Sequence, residues 1–196
     1  MIPPDPIERF RGVYALAEKI DRSILPDPSA MSLGTVDAVG QPSVRIVLLK
    51  AFDDRGFVFY TNYEGRKGRQ LLANPKAALC FYWPTIDIQV RIEGTATKVT
   101  DAEADAYFAT RHRLSQIGAW ASRQSLPLET PGALDERVRK YETEFADKDV
   151  PRPKYWSGFR VSPERIEFWK GKPNRLHERQ LYTRVGAGWK IETIYP

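Results

Sequence analysis

The strongest constraint in this sequence is a run of short apolar segments joined by tight turn signals, with little helix between them. MSLGTVD and SVRIVLLKAFD flank Ala38-Val39-Gly40-Gln41, a hairpin turn, and Asp53-Asp54-Arg55-Gly56 makes a second turn before the strand FVFYT. AALCFYW and IDIQVRIEGTATKV read as two further strands, and FRVSPERIEFWKG, RLHERQLYTR and GWKIETIY as three closing ones. Strands in hairpin succession argue for an antiparallel sheet or barrel, because parallel pairs need long crossover connections. No GxGxxG follows a strand, so a dinucleotide-binding fold has no support.

Helical signals are few. Ile7, Phe10, Tyr14, Ala17 and Ile24 predict an amphipathic helix over residues 5–24, stopped by Pro26 and Pro28. Gly65 to Ala73 predicts a short helix ending at Asn74-Pro75. Thr100-Asp101-Ala102-Glu103 is a capping box, whose threonine and glutamate satisfy free N–H groups at a helix start. That helix should reach about residue 110, with a second turn segment beyond. LPLETPG is a loop, Leu134 to Ala146 a charged surface helix, and PRPK a stiff connector. The 196 residues are expected to form a single domain, mainly β with flanking helices.

Composition narrows the partners. The formal charge of +5 suits anions, either nucleic acid or small phosphorylated ligands. The basic residues are interspersed with acidic ones, which favours discrete phosphate pockets over a nucleic-acid groove. No apolar run approaches the roughly 18 residues of a membrane span, and MIPPDPIERF has neither the basic flank nor the apolar core of an export signal, so a cytoplasmic location is expected. Cys80, the single cysteine, excludes an internal disulfide and reads as a small buried core residue. With two histidines and one cysteine, no metal centre is expected.

Several constellations carry chemistry. Tyr60-Thr61-Asn62 followed by Gly65-Arg66-Lys67 brings a glycine and two cations to a helix start, where free N–H groups favour anions; a solvated basic turn reads the same way locally. Tyr107, Arg111 and Ser115 lie at i, i+4 and i+8, and on one continuous helix would present a phenol, a guanidinium and a hydroxyl to a phosphate. In a strand, Arg175, His177 and Arg179 would point to one face, costly unless that face meets water or an anion, and Trp169 just upstream would stack on a ligand or fill the core. Gln89 alternates with Ile88 and Val90 on a polar strand face. Arg45 and Lys50 differ in parity, so both line one site only if the strand ends or bulges near Lys50.

The order of these segments carries more than any one of them. RIVLLK, VFYTN, GRKGRQL, QVRIEG, YFATR, SQIGAWASRQS, WSGFRVSPERIEFW and RLHER occur in the sequence and approximate spacing of the pyridoxamine 5′-phosphate oxidase family, which this chain resembles from Ala30 to Trp189. The resemblance implies an FMN-binding split β-barrel and a homodimer with FMN at the subunit interface. It implies an N-terminal helix and short arm over residues 1–28 and strands over 150–196 that complete a dimer-type active site. By resemblance, Arg45, Lys50, Tyr60, Thr61, Arg66, Lys67, Gln89, Gln124, Ser125, Trp169 and Arg179 are cofactor-binding. Lys50, Tyr107, Arg111 and Ser115 cradle the substrate phosphate, and Arg175 and His177 lie against the substrate ring as the catalytic pair.

The implied activity is oxidation of pyridoxamine and pyridoxine 5′-phosphates to pyridoxal 5′-phosphate, with dioxygen as acceptor and release of hydrogen peroxide. The alternative is a related FMN oxidase acting on another ring, such as a phenazine precursor. A non-enzymatic flavin carrier or nucleic-acid binder is a third, remote reading. MIPPDPIERF holds no equivalent of the arginine–tyrosine pair with which family members close over substrate, and Thr193-Ile194-Tyr195-Pro196 replaces the usual Arg-Leu-x-Pro ending. RLHER also stands for the commoner Arg-Leu-His-Asp-Arg, with charge kept.

Overall fold

The computed structural model describes residues 3–196. In chain order its elements are α1 (Pro6–Glu18), β1 (Ala30–Val36), β2 (Pro42–Leu48), β3 (Ala51–Asp53), β4 (Gly56–Asn62), α2 (Arg66–Ala73), β5 (Lys76–Trp83), β6 (Ile88–Lys98), α3 (Asp101–Ala109), α4 (Arg113–Ala121), α5 (Ala133–Glu144), β7 (Trp156–Lys170), β8 (Glu178–Val185) and β9 (Gly188–Ile194). The strands form one curled, wholly antiparallel sheet in the order β2-β1-β5-β6-β7-β4-β3, with β8 on β7 and β9 on β8. A mainly β fold with flanking helices is what the hairpin succession requires.

The 15-residue strand β7 is the spine. One of its edges runs along β6. The other is shared: β4 takes Trp156 to Val161, and β8 takes Arg165 to Lys170. Pro163 stands where the partner changes, a position that asks for no ladder N–H. The register with β6 shifts there, opposite Glu93/Gly94. An added Cβ on Gly94 would lie 2.1 Å from the Ser162 carbonyl oxygen, so only glycine permits this close crossing.

The concave face holds the core. Leu33, Phe57, Phe59, Leu79, Phe81, Ile92, Val161 and Ile166 alternate inward from their strands, and α1 closes over them. Phe10 is fully buried, packed edge-on against Phe52 and Phe57 at 4.9 Å each. Asp5 caps α1 by accepting from the Ile7 N–H at 2.8 Å, and Pro6 supplies the preset first helical turn. The helix is shorter than the expected 5–24. Asp21 captures the Ser23 N–H and hydroxyl, offering the backbone a local turn in place of helix, and Ile24 is left exposed.

A smaller apolar cluster of Phe108, Ile117, Phe145, Val150 and Trp156 packs the helices α3–α5 onto one end of β4 and β7. The Thr100–Glu103 capping box forms as expected. Cys80 departs from expectation: it is half-buried on the sheet's convex side, because Leu79 and Phe81 take the inward positions of β5. Among the described residues no helix is long and apolar enough to cross a membrane.

Candidate functional site

β2 ends at Leu48, and Leu49 and Lys50 form a joint before β3. The Lys50 N–H bonds the Val58 carbonyl at 2.8 Å, redirecting the chain across β4. The strand thus ends between Arg45 and Lys50, the break that both residues lining one site would need. That break places Lys50 at the rim of a cavity of about 290 Å³ that Tyr60, Thr61, Asn62, Lys67, Tyr107, Arg111, Gln124 and Trp156 also line, although Arg45 does not.

The floor is the end of β4 and the start of α2. Gly68 lets α2 pack directly on the preceding turn, since a Cβ there would sit 2.4 Å from the Tyr63 carbonyl oxygen. Lys67 Nζ is thereby aimed inward, donating to Thr61 Oγ1 at 3.1 Å and Gln124 Oε1 at 2.8 Å. The Arg66 N–H at the helix start donates to Ser125 Oγ at 3.2 Å. Ser125 has a left-handed backbone, φ 71°, which costs a non-glycine residue about 1 kcal/mol. The loop after α4 thus lays two polar side chains over a helix N-terminus.

The wall is aromatic. Tyr107, Tyr60 and Trp156 stack in near-parallel order, with Tyr60 4.1 Å from Tyr107 and 5.5 Å from Trp156. The Arg111 guanidinium lies 4.6 Å over the Trp156 ring, and its Nη1 is buried without a hydrogen-bond partner. Arg111 does not share a continuous helix with Tyr107 and Ser115. The Thr110 hydroxyl takes the Tyr107 carbonyl at 2.8 Å, α3 stops, and α4 starts afresh at Arg113. Ser115 is consequently exposed on α4 and does not line the cavity.

The electrostatics of this region are one-sided. Among the described residues, Arg45, Lys50, Arg66, Lys67 and Arg111 have no carboxylate at ion-pairing distance. Burial lowers the pKa of Lys67, and nearby Arg45 lowers it further. Burial likewise lowers Arg45, with Arg66 adding to it, and burial is the leading cause for Arg111. Desolvated cations without counterions are costly, and an anion would relieve that cost.

The remaining sequence candidates gather elsewhere. Gln89 faces Trp169 across β6 and β7, and Trp169 faces Arg179 across β7 and β8, so the three form a row. The His177 ring lies 4.6 Å from Trp169, and its Nδ1 accepts the Lys172 N–H at 3.2 Å, which leaves the neutral ring's proton on Nε2. Arg175, His177 and Arg179 do not share a strand face, because β8 begins only at Glu178. Asn174 and Arg175 instead turn through left-handed conformations, φ 58° and 62°. Arg179 is paired with Glu167 at 2.8 Å, and Arg91 bonds the same carboxylate.

These two groups stand at opposite ends of β7. Thr61 pairs with Ser157, and Gln89 with Trp169; the separation along the strand is up to about 40 Å at ~3.3 Å per residue. One chain therefore carries two groups of candidate residues at opposite ends of its longest strand. Sequence reasoning missed Trp156 as the seat of Arg111; its place at the head of WSGFRVSPERIEFW was the available signal.

Comparison with known proteins adds independent findings. Residues 17–170 match the family model described as pyridoxamine 5′-phosphate oxidase, and residues 156–196 match a pyridoxine 5′-phosphate oxidase C-terminal dimerisation region. A pyridoxine/pyridoxamine 5′-phosphate oxidase of Myxococcus xanthus (strain DK1622) is 56% identical over 196 residues, covering 100% of this chain and 94% of the relative. One from Rubrobacter xylanophilus is 54% identical, covering 98% and 88%. Among solved structures, PhzG from Burkholderia lata 383, in complex with tetrahydrophenazine-1-carboxylic acid, superposes with a TM-score of 0.91 at 30% identity, covering 99% of this chain and 94% of that one. A pyridoxamine 5′-phosphate oxidase-related, FMN-binding protein from Nostoc punctiforme shares the fold, with a TM-score of 0.76 at 21% identity and full coverage of both chains.

Proposed function

This chain belongs to the pyridoxamine 5′-phosphate oxidase family, and from that premise we propose how its two half-sites act as one FMN-dependent oxidase of pyridoxamine and pyridoxine 5′-phosphates. The observation that carries the reading is that Lys50, Lys67 and Arg111 line one cavity, with Arg45 near Lys67, and that among the described residues none of them has a carboxylate at ion-pairing distance. Two phosphate-bearing ligands are what such a set accommodates.

The donor set fits FMN. Arg45, Arg66 and Lys67, with Thr61, Gln124 and Ser125, would hold its phosphate at the start of α2. Tyr60 and Lys50 would lie along it, and Gln89, Trp169 and Arg179 would meet the ring system. Lys50, Tyr107 and Arg111 would cradle the substrate phosphate, with the unpartnered Arg111 Nη1 as its main donor. Ser115 joins them only if α4 or its side chain moves on binding.

With the two groups at opposite ends of β7, the C-terminal group of each site would come from a second copy. The enzyme is a homodimer by its dimerisation region, and we assign each active site to β4, α2 and α3 of one subunit and to the 169–179 segment of the other. The convex face of β2 supports this. Val44 and Ile46 are 71% and 62% exposed in the single chain, an apolar strip that a second copy would cover.

Bound FMN supplies the two-electron acceptor for hydride from the substrate's C4′ carbon, and dioxygen reoxidises it with release of hydrogen peroxide. The chain supplies position and charge. Anchoring the ester phosphate at Arg111 and Lys50 holds C4′ at a set distance from that anchor, converting binding into orientation. Arg175 covers the substrate ring. His177, with Nδ1 engaged by the Lys172 N–H, offers an Nε2–H to a ring substituent and acts as a donor. The amine substrate leaves as an imine that water cleaves to aldehyde and ammonia; the alcohol gives the aldehyde directly.

The test is direct. Anaerobic addition of pyridoxine 5′-phosphate to FMN-loaded protein should bleach the flavin, and air should restore it with aldehyde formed. Substrate that binds without bleaching would overturn the reading. The likeness to PhzG favours a phenazine-type ring as the second reading. Dephosphorylated pyridoxine separates the two: strong preference for the ester supports the cradle, and indifference to it supports the alternative.

A further inference from the structure

Arg45 is held entirely by uncharged partners. Its Nη1 donates to Thr35 Oγ1 at 2.6 Å, the Leu33 carbonyl at 3.1 Å and the Ser43 carbonyl at 3.3 Å, and its Nη2 donates to Gln70 Oε1 at 3.2 Å. Gln70 lies on α2, one turn after Lys67, and is only 6% exposed; Thr35, on β1, is 1% exposed. The same Gln70 oxygen accepts from Thr35 Oγ1 at 2.7 Å, and its Nε2 donates to Ser43 Oγ at 2.9 Å. A guanidinium has only donors, so the amide oxygen must be the atom that faces it.

Two buried polar side chains, Gln70 of α2 and Thr35 of β1, with the half-buried Ser43 of β2, are expensive to place together unless every group is satisfied. Here they converge on one cation. A carboxylate at position 70 would aim Arg45 as well, but it would also neutralise it. The neutral amide aims the guanidinium and leaves its charge uncompensated beside Arg66 and Lys67.

We propose that Gln70, supported by Thr35, is a positioning residue for the flavin-phosphate site, orienting Arg45 while keeping its positive charge available to the phosphate dianion. The inference rests on the assignment of Arg45, Arg66 and Lys67 to that phosphate. Gln70 and Thr35 are buried and do not line the candidate cavity.

Riboflavin, which lacks the phosphate, is the discriminating probe. Apoprotein is titrated with FMN and with riboflavin, following flavin fluorescence. Wild-type protein should bind FMN far more tightly; equal affinities would remove the phosphate assignment itself. Given wild-type discrimination, Gln70→Glu should weaken FMN by about tenfold or more and leave riboflavin within about twofold, because an ion pair to Arg45 cancels charge without altering shape. The thermal midpoint of its apoprotein should hold or rise through the new pair. Thr35→Val, which removes the hydroxyl from a similar volume, should weaken FMN about fivefold and riboflavin little, with recovery in Thr35→Ser. Retained FMN preference in both Gln70→Glu and Thr35→Val, or equal loss of both flavins, overturns the proposal. The Thr35 pair decides the matter if Gln70→Glu does not fold.

Discussion

The two groups of candidate residues are built on opposite principles. The one at β4, α2 and α3 is pre-formed: Tyr60, Lys67, Tyr107 and Arg111 are half-buried, and stacked or hydrogen-bonded or both, and its cations lack counterions. The C-terminal one is open, with Arg175 exposed on a left-handed turn before an edge hairpin and its deepest cation, Arg179, ion-paired with the Glu167 carboxylate that Arg91 shares. Burial works against the charge of Glu167, yet hydrogen bonding to Arg179 and the field of Arg91 and Arg179 hold its pKa below the usual carboxylate value. The contrast is between cations left without counterions and cations held in ion pairs. Arg152 and Arg160, each bonded to two acidic residues, belong to the second kind.

The sharpest way to break this contrast is Arg111→Met. Loss of a desolvated charge-assisted donor should raise KM for pyridoxine 5′-phosphate about 100-fold. The apoprotein should melt no lower, because an uncompensated buried charge has gone. A lower melting point with unchanged KM would make Arg111 structural.

Next comes a crossed pair. Arg66→Ala should weaken FMN by about tenfold and spare turnover of the reloaded enzyme, whereas Arg175→Ala should lower kcat about tenfold or more and spare FMN. Equal FMN loss in both would erase the division between the halves.

A smaller effect is visible in the pH dependence of stability. The pKa of Lys67 is lowered on folding, so the unfolded chain binds more protons between that lowered value and 10.5. Apoprotein stability from this group should therefore rise with pH in that window. Urea melts of wild type and Lys67→Met across pH 8 to about 10.5 should differ in slope, and saturating FMN should abolish the difference. Parallel slopes would mean that Lys67 is not desolvated.

The smallest expected effect is Asn174→Gly. Relief of the left-handed backbone should change stability by less than about 1 kcal/mol, while the looser turn lowers kcat by about twofold to fivefold. An unchanged kcat would show that the strained turn does not aim Arg175.

Local signals were legible where their partners are neighbours in sequence. The Thr100–Glu103 capping box, the turn at Asp53–Gly56 and the end of β2 before Lys50 all follow from residues a few positions apart. Signals failed where a local competitor intervened. Asp21 cut α1 short, Thr110 broke the helix expected to align Tyr107, Arg111 and Ser115, and the Asn174–Arg175 turn delayed β8. Gln70 was invisible as a positioning residue because its meaning depends on Thr35, 35 positions away, and on Arg45 across the sheet.

Taken by itself, the chain's order of residues determined the antiparallel class, the family, and the chemical types of the binding groups, since alternation, turn residues and motif spacing are one-dimensional properties. Which cations stay unpaired, which face of the sheet Cys80 occupies, where α2 sets Gln70, and the distance along β7 between the two groups of candidate residues were decided only in three dimensions. Strand register and long-range burial set those features, and no short stretch of sequence contains both partners of the contacts that establish them.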